Sequence, residues 1–386
     1  MGLLDGISVL DLASVGPAAR ASRVLADYGA RVVKIGPTSK KGALQIQPAY
    51  HTYGAGRGLS RMRIDLKSDG GRDAFLRLAE KADVVIESYR PGVVRRLGID
   101  YDSVCQRNPS IVYCSTSGYG QDGPAAAWAG HDINYLAMAG FLACSEPRAD
   151  GGPPIPGATV ADSAGGGMHA VIAILAALVK RAATGQGEYL DVAALDGTLS
   201  LMALSLDQYL ATGEVAGPRQ TLLTGRYACY DLYECKDGRW ISVGAIEPHF
   251  YANLCRLLDL DGFASQQHDD DAQDEIRKAF ADRFRERTQE EWVERLAPAD
   301  TCVAPVRSLP EVTRDPHLRA RGTFIDAVHP EDGRFEQTAA VLAGARRDAS
   351  PHHVRPAEET DSDDLLQQAG VSDNEIEKLR AEGCVE

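Results

Sequence analysis

Three segments put an ionisable side chain where a proton could be exchanged with a ligand. In GHDINY, His131 stands between Gly130 and Asp132, with Ile133, Asn134 and Tyr135 following. A histidine beside a carboxylate, in a glycine-flanked loop, is suited to general acid–base work near neutral pH. It is equally compatible with a loop histidine bonded to backbone. In ATVADSAGGG, Asp162 precedes three glycines at the mouth of a long helical pattern. An N-cap that satisfies helix amides is the ordinary use of Asp there, although the same helix end favours a negative charge and could hold an anion nearby. In VGAIEPH, Glu247 lies between a strand end and a helix opened by proline, where a solvated or capping carboxylate is also common.

A trail of cations runs through the first half: Lys67 in IDLKSD, Arg90 in SYRPG, and Arg95 and Arg96 in VVRRLG. These are either solvated surface charges or a phosphate-binding strip. No G-x-S-x-G elbow occurs, so an acyl-enzyme serine hydrolase is excluded. Neither H-E-x-x-H nor an EF-hand loop is present, so no metal ion is expected. The eight cysteines show no C-x-x-C and no zinc spacing, and read as reduced thiols.

These residues need a frame. ISVLDLA reads as a buried strand, residues 18–28 as a helix closed by Gly29, and ARVVKIG as a second strand. That is a βαβ unit and implies a parallel sheet. Its turn is SVGPAA, without the G-x-G-x-x-G fingerprint, which argues against a nicotinamide cofactor. A helix over 68–81, the strand ADVVIES, a short helix in PGVVRRLGI and the strand in SIVYCSTSGYG continue the pattern. The longest helix is expected from 163 to 184. Its glycines allow a close approach to a neighbouring helix or a ligand. After Gly217 the texture changes: YACYDLYECKDGRWISVGA predicts an antiparallel hairpin turning at Asp-Gly, followed by helices at 248–258, 271–287 and 289–296. Residues 350–363 read as a surface connection. SDNEIEKLRAEG predicts a last helix with a Ser372/Glu375 capping box.

The 386 residues suggest about two domains, and 41 basic against 55 acidic side chains leave a net charge of −14. That balance opposes general nucleic-acid binding, which needs clustered Lys and Arg. The N-terminus lacks a basic n-region and cleavage site. The longest apolar run, residues 170–179, is too short to span a bilayer. No membrane association is expected, and the cytoplasm is the expected compartment.

SVLDLASVGP, RIDLKSDGG, ADVVIESYRPGVVRRLGI, NPSIVYCSTSGYGQDGP, GHDINYLAMAG, VADSAGGG and GVSDNEIEKLRAEG follow one another across nearly the whole chain. Together they resemble the class III CoA-transferase (CaiB/BaiF) superfamily, and GHDINY with VGAIEPHFY is most similar to its α-methylacyl-CoA racemase branch. The resemblance implies that His131 and Asp162 are the two acid/base groups on opposite faces of the substrate α-carbon, with Glu247 supporting the histidine. It implies that CoA is held by Ile64, Asp65, Leu66 and Lys67, by Ser88, Tyr89 and Arg90, and by Arg96. The GHDINY residues Gly130, Asp132, Ile133, Asn134 and Tyr135 would line the substrate. The implied fold is α/β, with a Rossmann-like parallel core, a smaller α+β domain and an interlocked homodimer. A large domain of 1–200 plus 330–386, a small one of 225–325, and linkers at 201–224 and 326–329 are expected. The CoA thioester would be the substrate, with no resident cofactor. The expected reaction is α-carbon epimerisation of a 2-methylacyl-CoA. The alternative is CoA transfer between carboxylic acids, with Asp162 as nucleophile. Two departures from the racemase pattern stand out. TGRYACY, with Arg226 and Tyr227, replaces a GGAP-like loop, and Gly36 and Pro37 followed by Lys40 and Lys41 replace an acid and an arginine after the second strand.

Overall fold

The computed structural model describes residues 2–13, 16–38, 49–345, 347, 350–356 and 358–386. Lys40 and Lys41 lie outside the described residues. Six strands make one sheet: β1 (Ser8–Asp11), β2 (Arg31–Gly36), β3 (Ser60–Arg63), β4 (Val84–Glu87), β5 (Val112–Ser117) and β6 (Glu188–Ala193). Their spatial order is β3-β2-β1-β4-β5-β6, and every neighbouring pair is parallel. This is the doubly wound order whose direction reverses between β1 and β4, the place where such sheets open a crevice.

Parallel sheets are covered on both faces, so their central strands are buried along their length; all four residues of β4, Glu87 included, are buried. Against one face pack Ala18, Ala21 and Leu25 of the helix Gly16–Asp27, with Ala170, Val171 and Ile174 of the helix His169–Thr184. The other face takes Phe75 and Leu78 of the helix Asp69–Ala79, and Leu365, Leu366, Ile376 and Leu379 from two C-terminal helices. The strands β3 and β6 have no counterpart among the expected elements. Both lie at sheet edges and carry polar side chains such as Arg61, Arg63, Glu188 and Asp191, so the apolar run that marks a central strand is missing.

The long helical pattern begins with a π-helical stretch, Ala161–Met168, and continues as the α-helix His169–Thr184. Its 24 residues are long and apolar enough to cross a membrane by length and composition, against the ten-residue run taken as its limit. Its buried side contributes to the core described above. The glycines at its start are explained by packing. A Cβ on Gly166 would lie 2.5 Å from Pro17, and one on Gly165 would lie 2.6 Å from Thr198 Oγ1. Helix-to-helix approach, one of the two roles expected of them, therefore accounts for these glycines without a ligand.

The chain divides into two compact units, residues 1–139, 156–203 and 316–386 forming the first, and 140–155 with 204–315 the second. Several boundaries differ from expectation. The supposed linker 201–224 contains the helix Ala203–Thr212, and 326–329 lies inside the strand Phe324–His329. That strand pairs antiparallel with Gly333–Thr338, a ladder that draws residues 316–325 into the first unit. Within the supposed surface connection, His352–His353 pairs with the same strand. The last helix, Asp373–Ala381, has Ser372 at its N-cap but no capping box, because the Glu375 carboxylate turns to Arg77 at 2.9 Å.

In the second unit, Tyr230–Glu234, Trp240–Gly244 and Val303–Pro305 form an antiparallel sheet. The expected hairpin is there. Its turn is closed by Cys235 N–H donating to the Arg239 carbonyl at 2.7 Å, with Gly238 at φ +73° supplying the left-handed position. Tyr233, Phe280, Phe284 and Trp292 fill its core.

Candidate active site

Asp162 and His131 come from two elements of the first unit that are tied together. His131 precedes the helix Asp132–Met138, and its N–H donates to Asn134 Oδ1 at 3.0 Å. Asp132 Oδ1 in turn accepts the backbone N–H of Asp162 at 2.9 Å. The loop before the helix is fixed by aromatic packing: Tyr135 donates its hydroxyl to the Gly130 carbonyl at 2.7 Å and packs edge-on against Tyr119. A side chain at residue 130 would strike both rings, which explains that glycine. Ile133 and Asn134 are exposed, whereas Tyr135 is buried.

Asp162 is half-buried, and burial pushes its carboxyl above the ordinary range. Arg20 opposes this, Asp132 adds to it, and the nearby His131 opposes it. The Arg20 guanidinium stands 3.5 Å from the Asp162 carboxylate and donates to Thr159 Oγ1 at 2.8 Å. Asp162 is therefore not a simple helix cap: its side chain faces a cation and a histidine. The π-helical turn that carries it fits the frequent occurrence of such turns at functional sites.

Glu247 belongs to the second unit. It is exposed at the N-cap of the helix Pro248–Leu257, with no side-chain capping bond. In the same unit Arg226 holds Asp270 through two bonds, at 2.9 and 2.7 Å, and lies over the Tyr227 ring. That pairing gives the TGRYACY departure a structural role.

The expected CoA segments follow β3 and β4. Ile64 is buried and bridges to Val385, Asp65 donates its N–H to the Cys384 carbonyl, and Leu66 packs on the core. Lys67, Arg90 and Arg96 are exposed and join no ion pair among the described residues. Ser88 is partly exposed, and the Tyr89 N–H donates to Glu87 Oε2 at 2.7 Å. Glu87 itself went unnoticed in the sequence. It is 1% exposed at the end of β4, and burial pushes its carboxyl up to about 7, against hydrogen bonds from Ser115 and Tyr89. Its folded-state proton affinity exceeds the unfolded one, so the folded protein binds more protons between pH 4.5 and about 7, and stability falls as pH rises through that window. Glu87→Gln removes this component. Melting curves of wild type and variant over that range should diverge increasingly towards pH 7, and parallel curves would contradict the assignment.

A cleft of about 1270 Å³ opens beside Asp162, lined among others by Arg20, Arg23, Arg57, Arg61, Tyr53 and Gln337. None of these six was singled out from sequence. The spacing in ARASR, which puts Arg20 and Arg23 on one helix face, is the signal that could have found two of them.

The model of CoA-transferase family III matches residues 4–362. The α-methylacyl-CoA racemase of Homo sapiens is 34% identical over 391 aligned residues, covering 99% of this chain and 97% of that protein. The acetyl-CoA:oxalate CoA-transferase of Acetobacter aceti is 30% identical over 341, covering 84% and 86%. A solved CaiB/BaiF family protein from Brucella suis superposes with a TM-score of 0.71 at 26% identity, covering 94% of each chain. The fold and these matches define the class: the chain belongs to CoA-transferase family III.

Proposed function

We propose that this chain epimerises the α-carbon of 2-methylacyl-CoA thioesters through an enolate. The observation that carries the reading is the pairing of His131 with a half-buried Asp162, joined through the Asp132 side chain. A thioester acidifies its α C–H bond, and inversion needs one group to take the proton and another, on the opposite face, to return one. An imidazole and an ordinary carboxyl differ by more than two pKa units. Burial of Asp162 narrows that gap, which suits a reversible two-base exchange. Glu247 takes the role of supporting His131, as in the racemases the chain resembles. The test is stereochemical. A single epimer should reach an equal mixture of both; CoA transfer to an added carboxylic acid without epimerisation identifies a transferase instead.

The second reading has its own support. Asp162 faces Arg20, a cation able to keep a nucleophilic carboxylate ionised, and a CoA-transferase is among the similar proteins.

In this reading CoA lies along residues 64–67, 88–90 and 96, and GHDINY borders the acyl-thioester. Lys67→Ala and Arg90→Ala should weaken CoA-ester binding several-fold, on the order of 1 kcal/mol each, and more at low salt than at high salt. Titrations giving wild-type affinity for both variants would return these residues to the solvated surface. The protein acts as an intertwined homodimer in the cytoplasm, with acyl-CoA as its ligand, no resident cofactor and neither nucleic acid nor membrane as partner. Sedimentation at micromolar concentration should show a dimer, and a folded monomer would refute this assembly.

A further inference from the structure

The cleft beside Asp162 is not built for a purely aliphatic chain. Gln337 lines it and is 8% exposed, yet neither Nε2 nor Oε1 of its amide has a partner among the described residues. A buried amide left without partners carries a desolvation cost that an incoming polar group would relieve. The cleft's five guanidinium groups and five carboxylates are unevenly paired. Arg23 and Arg57 share the single carboxylate of Asp27, and Arg23 keeps a buried Nε unpartnered. The Arg61 guanidinium donates to the Pro356 carbonyl at 2.8 Å and to that of Arg355, both of them neutral backbone groups. His352 reports the same positive field: its imidazole is pushed down to about 4, by burial first and then by Arg57, Arg23 and Arg61. Of the other carboxylates on the cleft, Glu336 is held by Arg319, Asp162 is the proposed base, and Glu331 and Glu358 are exposed at its surface. Between these polar groups, Val24, Leu59 and Tyr50 supply apolar wall.

We infer that the acyl group of the substrate enters this cleft and ends in a carboxylate, which the Arg23, Arg57 and Gln337 side chains receive. The inference rests on the racemase reading, which lays CoA along the exposed strip and the α-carbon at Asp162, leaving the acyl tail to the cleft that Asp162 borders. A methylene chain suits the apolar wall, and a terminal carboxylate accepts bonds from the guanidinium groups and the amide Nε2.

The experiment compares two CoA esters of equal chain length, 2-methyladipoyl mono-CoA thioester and 2-methylhexanoyl-CoA, by calorimetric affinity and by kcat/KM for α-proton exchange. Wild type should favour the carboxylate ester by about tenfold or more, and the preference should shrink with salt. Gln337→Leu and Arg57→Gln should each bring the ratio towards one. Equal or better use of the hexanoyl ester by wild type overturns the inference, and this comparison does not depend on either variant folding. Should Arg57→Gln weaken free CoA as much as the carboxylate ester, the arginines hold CoA phosphates and the inference falls. If both esters bind and neither exchanges its α-proton, the racemase reading fails, while the affinity ratio still decides the acyl preference.

Discussion

Replacing Asp162 with asparagine should lower racemisation by about 10²- to 10⁴-fold, the range over which a positioned acid–base group acts. His131→Ala should do the same. The informative part is what survives. The two groups serve opposite faces of the α-carbon, so each single variant keeps a base for one epimer. Deuterium exchange at the α-carbon should persist for one epimer in His131→Ala and for the other in Asp162→Asn, with inversion lost in both. Mass spectrometry of separated epimers reads this directly. A transferase behaves otherwise: Asp162→Asn would abolish acyl transfer, and His131→Ala would leave it running. Burial raises the Asp162 carboxyl while Arg20 and His131 restrain it, and the asparagine variant loses that titrating group while keeping a side chain of similar shape.

The largest stability effect should come from Gly197→Ala. A Cβ there would sit 1.8 Å from the Gly165 carbonyl oxygen and 2.6 Å from its carbon, both backbone atoms that cannot swing aside. The helix Ala194–Leu201 would have to part from the π-helical turn that carries Asp162. Overpacking of this kind costs about 3 kcal/mol. Gly262→Ala is the control, since nothing lies within 4 Å of its added methyl and its φ is not positive; it should change stability by less than about 0.5 kcal/mol. Calorimetry should show a transition lowered by several degrees in the first variant alone. Equal melting of both would mean that the two helices are not packed through these glycines.

What could be read from the sequence follows from which signals are local. Central strands β1, β2, β4 and β5 announce themselves as apolar runs between turn residues, and the hairpin of the second unit by its Asp-Gly turn. Edge strands do not: the SRMR of β3 shows two arginines, whose destinations appear only when the chain folds. Arg61 reaches the carbonyls of Arg355 and Pro356, nearly 300 positions away in sequence. Glu375 looks like half of a capping box until Arg77, equally distant, claims it. In the same way His131 and Asp162 were visible as candidates, but the Asp132 contact that joins them and the Arg20 that faces Asp162 are tertiary facts. The cleft is more remote still, since it assembles arginines from the first helix and from β3 with a glutamine of the C-terminal hairpin. Family resemblance supplies roles for the motifs it covers, but those motifs reach the cleft only at Gly16, Asp162 and Ser163, and its arginines and Gln337 lie outside them.

The central claim is that Asp162 handles protons and does not form a bond to the acyl group. Incubating wild type with a single epimer of a 2-methylacyl-CoA in deuterium oxide, then quenching with hydroxylamine, tests it in one experiment. The reading predicts one deuterium at the α-carbon of both epimers as the mixture equilibrates, and an unmodified Asp162. A hydroxamate at Asp162 with no deuterium in the recovered thioester would contradict it.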